Sequence, residues 1–248
     1  MIPIRDRNPS GTFPFITIGI IGVNVLIFLY ELSLGSDLVV FLNQYGVVPI
    51  KVTHYFQSSD LTLTDTFFPF LSSTFLHGGF IHLIGNMWFL WIFGDNIEDR
   101  LGHFKYLIFY ILCATIASSV HVYFNNQSEI PCVGASGAIS AVLGAYMVTF
   151  PRARVTTVVP IFFFIQIIEL PAVVVIGFWI LIQFFSGAVS LTTSTSDGGG
   201  IAWWAHIGGF VSGIILFYII RVLFARRPKR QIWVVEIVHR EGAKSAKP

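Results

Sequence analysis

The sequence predicts an all-α integral membrane protein, a bundle of six transmembrane helices with a long first outer loop partly inserted in the membrane. Three observations carry this. The chain of 248 residues is 54% hydrophobic and only 11% charged, with a mean hydropathy of +0.75, whereas a soluble domain carries about 25% charged residues. Apolar windows approach the length of about 20 residues that a bilayer core requires. The cations fall on one side of those windows. The length suits one compact helical domain, with no room for a second large one.

Residues 1–12 read as a cytoplasmic N-terminal segment carrying Arg5, Arg7 and Pro9. No small-residue cleavage site follows a short apolar run, so no removable signal peptide is expected there. Apolar windows fall near residues 14–32, 79–94, 104–124, 135–150, 170–187 and 201–224, within a bundle domain of residues 13–225. The second and fourth are short, with glycines and polar residues at their ends, and suit the interior of a bundle. The connection from Glu31 to Leu76 far exceeds the median loop of about 4–6 residues. Its apolar groups, among them Leu38, Val39, Phe41, Phe67, Phe68 and Phe70, predict short amphipathic helices lying in the interface. Thr156 to Leu170, interrupted by Pro160, Gln166, Glu169 and Pro171, is expected as an interfacial or re-entrant connection. Residues 226–248 form a basic cytoplasmic tail that opens on Arg226-Arg227-Pro228-Lys229-Arg230, a stop-transfer signal, with Ile232 to Val238 a short strand or interfacial piece.

Charge orients the bundle. With Met1 in the cytoplasm, six spans place Arg5, Arg7, Arg100, Lys105, Arg152, Arg154, Arg226, Arg227, Lys229 and Arg230 inside. The outside loops keep Lys51 against Asp37, Asp60, Asp65, Glu129 and Asp197. His82, Ser136 and His206 then all lie near the outer face. Cys113 and Cys132 fall at different depths and are not expected to pair.

Polar groups inside apolar segments are costly and mark function. Gly134-Ala135-Ser136-Gly137 begins the fourth window, where a helix N-terminus offers free N–H groups and a partial positive charge to a developing oxyanion. Ser136, Ser140 and Gly144 repeat every four residues and leave one face with only small groups. His206, Gly209 and Gly213 share a face of the sixth window. Two such faces can approach closely, bringing the Ser136 hydroxyl to the His206 imidazole as nucleophile and base. His82 and Asn86, one turn apart, offer side-chain donors for an oxyanion. His77 lies nearer the aqueous end, with a structural hydrogen bond to the long loop as its expected role. Glu169 is read as the only acid close to a span interior, and Asp197 as the only acid near the pair.

His77 with His82 and Asn86, Gly134-Ala135-Ser136-Gly137, and His206 with Gly209 and Gly213, in this order on separate segments, resemble the rhomboid family of intramembrane serine proteases. The resemblance covers roughly residues 12–225 and implies a serine endopeptidase that cuts transmembrane segments near their outer ends. It implies Ser136 as nucleophile, His206 as general base without an acidic third member, and His82, Asn86 and the backbone between Gly134 and Ser136 as the oxyanion hole. His77, Gly134, Gly137, Ser140, Gly209 and Gly213 are supporting positions. Substrate is expected to arrive laterally between the second and fifth spans, past Phe178 and Trp179, with a small side chain before the scissile bond. Two departures stand out. Phe67-Phe68-Pro69-Phe70 replaces a Trp-Arg pair of many bacterial relatives, and Ser140 replaces an aromatic residue that often faces the base. A hydrogen bond from Ser140 is expected to orient His206 instead. The partners implied are transmembrane protein substrates and the bilayer, with no cofactor, metal or nucleic acid. A metal site at His77, His82 and His206 lacks a thiolate or carboxylate partner. The expected location is the plasma (inner) membrane of a prokaryote, with the site opening outward. The alternative is an inactive rhomboid-like protein that binds transmembrane segments; such a protein would have lost Ser136 or His206. The sequence does not assign an oligomeric state.

Overall fold

Phe15 to Ser33 is an uninterrupted apolar run and forms the first helix, α1. In the computed structural model, which describes residues 1–55, 62–161, 164–190 and 202–223, it is preceded by strand β1 (Ile2–Asp6). The long connection folds into short helices, as expected: α2 (Leu38–Tyr45), α3 (Pro49–His54), α4 (Leu63–Phe67) and α5 (Pro69–Ser72). Pro49 and Pro69 stand in the first turns of their helices, where the missing N–H costs nothing. Then come α6 (Phe80–Leu101), α7 (His103–Phe124), α8 (Ser136–Thr149), strands β2 (Arg154–Ile161) and β3 (Phe164–Pro171), α9 (Ala172–Ser190) and α10 (Trp203–Leu223). The six predicted windows coincide with α1, α6, α7, α8, α9 and α10.

Four of these, α1, α7, α9 and α10, are long and apolar enough to cross a membrane, and α6 with the Leu63–Phe75 segment, bent by 74°, makes a fifth if that pair is one span. Helix α8 has 14 residues, or about 21 Å, short of a hydrocarbon core of about 30 Å. It sits at the centre of the bundle, buried from Gly137 through Tyr146 and packed mainly against α10, α6 and α7. Small residues and an interior position go together here: Ala138, Ala141 and Ala145 leave neighbouring helices room to close in.

Thr156 to Leu170 departs from the re-entrant reading. It forms a β-hairpin in register from Arg154↔Pro171 to Ile161↔Phe164, and β1 adds to its free edge with Ile2 opposite Val158 and Asp6 opposite Val155. Val155, Thr156, Thr157, Val158 and Val159 are β-branched and favour the pleat. Pro160 is tolerated because β1 stops at Val158, so no ladder bond is lost on that side. The all-α bundle therefore carries a three-stranded sheet at the end where the N-terminal segment lies. Arg226–Arg230, Ile232–Val238 and the rest of the tail lie outside the described residues, as do Asp60 and Asp197.

The N-terminal segment is fastened to that end by polar contacts, those to Glu98 buried. Glu98, fully buried in α6, accepts from the amides of Ile16 (2.9 Å) and Thr17 (2.8 Å) and from the Thr17 hydroxyl (2.7 Å), so a carboxylate caps the N-terminus of α1. Oε1, which takes the Ile16 amide, also meets His103 Nδ1 at 2.5 Å. Asn8 donates to Asn96, Arg7 pairs with Glu169, and Thr12 donates to Asp99 at 2.7 Å. Glu98 and Glu31, both buried in helices, correct the reading of Glu169 as the only acid near a span interior.

Tyr146 donates to Asp6 at 2.6 Å. Burial lifts the Asp6 carboxyl from 3.8 to about 6, with Asp95 adding to the lift and the Tyr146 hydrogen bond opposing it. A carboxyl raised in the folded state stabilises fully below its unfolded value, and that contribution is lost as pH rises through about 6. Wild type should therefore lose thermal stability, relative to Asp6→Asn, between about pH 4 and pH 6.5. Melting temperatures of the two proteins in detergent across that range check this; parallel curves would refute it.

Candidate active site

Three backbone features bring Ser136 to the start of α8. Val47 and Cys132 exchange amide hydrogen bonds of 3.1 and 2.8 Å, pinning the outer loop to the approach of the helix. Gly134 donates to the Ser73 carbonyl at 2.8 Å. Its φ of +121° and the His82 ring, 2.6 Å from where a Cβ would stand, both require glycine. Ser136 then opens the helix, with its amide in the first turn, where no intrahelical acceptor exists.

The small faces of α8 and α10 meet. A Cβ on Gly209 would fall 2.0 Å from the Gly137 carbonyl oxygen, one on Gly213 2.2 Å from that of Ala141, and one on Gly144 2.4 Å from that of Phe210. Backbone touches backbone along the seam. A Cβ on Gly137 would meet Ala117 of α7 at 2.7 Å. This approach delivers His206 Nε2 to within 2.9 Å of Ser136 Oγ. Cys113 and Cys132 are both free thiols.

His206 is held on several sides. Its Nδ1 lies 2.6 Å from Oε1 of Gln183 on α9. The Trp179 ring of the same helix lies 5.7 Å from the imidazole, and Trp203 stands perpendicular to it at 6.3 Å. On α6, His82 faces Gly134, and Asn86 Nδ2 lies 2.9 Å from His77 Nε2. His77 is buried, and its own amide donates to the Glu31 carboxylate at the end of α1. These groups border an open cavity of about 880 Å³ to which α6, α8, α9 and α10 contribute, lined by His82, Asn86, Ser136, Trp179 and His206 among others. A hydroxyl beside an imidazole nitrogen, with amide and ring N–H groups across the cavity, suits proton transfer from the hydroxyl and stabilisation of a nearby oxyanion.

The structure thus brings Ser136, His206, His82 and Asn86 to one cavity. Two expectations are corrected. Ser140 does not reach His206: its hydroxyl donates one turn back to the Ser136 carbonyl at 2.6 Å, the usual outlet for a serine inside a helix. His77 meets Asn86 on α6 as well as the backbone of Phe75 at the end of the loop. The Gly134 amide is already engaged by the Ser73 carbonyl, which leaves the Ala135 and Ser136 amides of that stretch as backbone donors. Trp179 lines the cavity, whereas Phe178 lines an adjoining apolar hollow with Met1, Pro3, Phe89 and Phe93. Gln183 escaped the sequence reading. Its signal was a neutral polar side chain in the middle of an apolar span.

Comparison with known proteins places the chain in a family. The Rhomboid domain family matches residues 64–222. The chain is 30% identical over 169 residues to the presenilin-associated rhomboid-like protein A, mitochondrial, of Danio rerio, covering 64% of this chain and 39% of that protein. It is 26% identical over 165 residues to the rhomboid protein 1, mitochondrial, of Saccharomyces cerevisiae, covering 64% of this chain and 44% of the relative. RHOMBOID-like protein 5 of Arabidopsis thaliana is 36% identical over 77 residues, 31% of this chain and 25% of that protein. The chain thus spans less than half the length of these relatives. Two of the names place those proteins in mitochondria, against the expectation of a prokaryotic plasma membrane, which is withdrawn. With its apolar helices and a family match over most of its length, the chain is an integral membrane protein that belongs to the rhomboid family.

Proposed function

We propose that the protein is an intramembrane serine endopeptidase that cuts transmembrane segments near their outer ends. The observation that carries this is the 2.9 Å contact between Ser136 Oγ and His206 Nε2, both of which line the open cavity. In this reading Nε2 takes the hydroxyl proton as Oγ attacks the scissile carbonyl carbon. The oxyanion is received by the Ser136 amide, Asn86 Nδ2 and the His82 ring. Protonated His206 then gives its proton to the leaving amine, and water repeats the sequence on the acyl-enzyme.

A helix hides its carbonyls in its own hydrogen bonds, so the substrate must present an extended stretch. Glycine, proline or small residues at the outer end of a transmembrane segment make that unwinding cheap. Proteoliposomes containing such a segment test the reading: wild type should cleave it and Ser136→Ala should not. Cleavage that survives Ser136→Ala would remove the protease reading, and substrate retained uncut by wild type would favour a binding protein.

Asn86 has two amide hydrogens. His77 engages one, and the other is left for an oxyanion in the cavity that Asn86 lines. Asn86→Ala is expected to lower kcat by about 10²-fold with little change in KM, the usual cost of one oxyanion donor. Steady-state cleavage rates check it, and a loss carried by KM alone would contradict it.

A further inference from the structure

We propose that Gln183 is a positioning residue that selects the tautomer of His206, a role that rests on the protease reading above. Its side chain is 6% exposed, and its Oε1 lies 2.6 Å from His206 Nδ1. An amide oxygen only accepts, so Nδ1 carries the hydrogen and Nε2 turns a lone pair toward Ser136 Oγ. The opposite tautomer would aim an N–H at the serine, and no proton could be taken from it.

The placement is built rather than incidental. Gln183 lies one turn beyond Trp179 on α9, so one helix supplies both the bond to Nδ1 and an aromatic ring tilted at 39° beside the imidazole. Trp203, three residues before His206 on α10, bounds it from another side. The other ionisable side chains near the ring are His82 from α6 and His121 from α7. Among the described residues no carboxylate takes the place of Gln183. The amide thus does the orienting work of a buried acid in a triad without bringing a charge into an apolar interior.

Two substitutions separate this from packing. Gln183→Met keeps the length of the side chain and removes the acceptor; Gln183→Glu keeps acceptor oxygens. Gln183→Met should lower kcat about 10–100-fold, because the ring takes up the Nε2–H tautomer rather than leave a buried donor unpaired, with KM within about twofold and a nearly unchanged melting temperature. Gln183→Glu should retain most of kcat. In 15N spectra of histidine-labelled protein in lipid, His206 should read as Nδ1–H in wild type and as a tautomer mixture in Gln183→Met. A Gln183→Met protein with wild-type kcat, or one whose kcat falls only with its melting temperature, would overturn the proposal while Ser136-dependent cleavage stood. A wild type that cleaves nothing would defeat the protease reading instead, and the spectra would still decide the tautomer.

Discussion

Alanine at His206 is expected to lower kcat by about 10⁴-fold, Ser136→Ala to lower it as far, and the double variant to lose nothing more. The reason lies in how the two groups share one proton. In the proposed mechanism the hydroxyl and Nε2, 2.9 Å apart, act as a single nucleophile, since Oγ attacks only as Nε2 removes its hydrogen. Removing either partner leaves the other idle, so the second removal costs nothing. What survives is whatever the oxyanion donors and the oriented substrate supply, and Asn86 stands apart from the pair on α6. Single-turnover cleavage in proteoliposomes measures all three proteins. Losses that multiplied in the double variant would show two independent contributions and sink the shared-proton mechanism.

The same arithmetic explains why this site was readable before any coordinates. Serine and histidine stand out in apolar windows because the bilayer penalises them, and the small-residue stripes beside them state which helix meets which. Ser136, Ser140 and Gly144 against His206, Gly209 and Gly213 is a packing instruction written at a period of about four residues. Other features had no local signature. Strand β1 pairs with residues about 150 positions away, and nothing within Ile2–Asp6 names its partner. Gln183 carries no charge, and its meaning depends on a histidine 23 positions on, across a helix pair. Ser140 had two acceptors within plausible reach, and the intrahelical one won because it needs no movement of the neighbouring helix. Glu31 and Glu98 sat at window ends, where acids usually remain in water. Only the fold shows that one is aimed at the His77 amide and the other at the open N-terminus of α1. Periodicity thus reveals contacts between regular faces, while contacts that depend on chain ends and loop paths appear only with the tertiary structure.

Placing a single methyl group on Gly213 is expected to destabilise the protein by about 2–3 kcal/mol and to cost activity as well, although Gly213 lies two turns below His206. The methyl would stand 2.2 Å from the Ala141 carbonyl oxygen and 2.4 Å from its Cα. Those atoms belong to a helix backbone and cannot swing aside, so α8 and α10 must separate. Ser136 rides on one helix and His206 on the other, and the gap opens at the 2.9 Å contact. A displacement of about 1 Å in such a pair is worth about 10²-fold in rate. Gly177→Ala is the control: it sits in α9 with nothing within 4 Å of the added carbon. There the lower chain entropy of alanine should leave stability unchanged or raised by up to about 1 kcal/mol. Thermal unfolding in detergent and cleavage of the same substrate measure both variants. If Gly213→Ala melts with Gly177→Ala and cleaves at its rate, the backbone contact between α8 and α10 does not set the distance between the serine and its base.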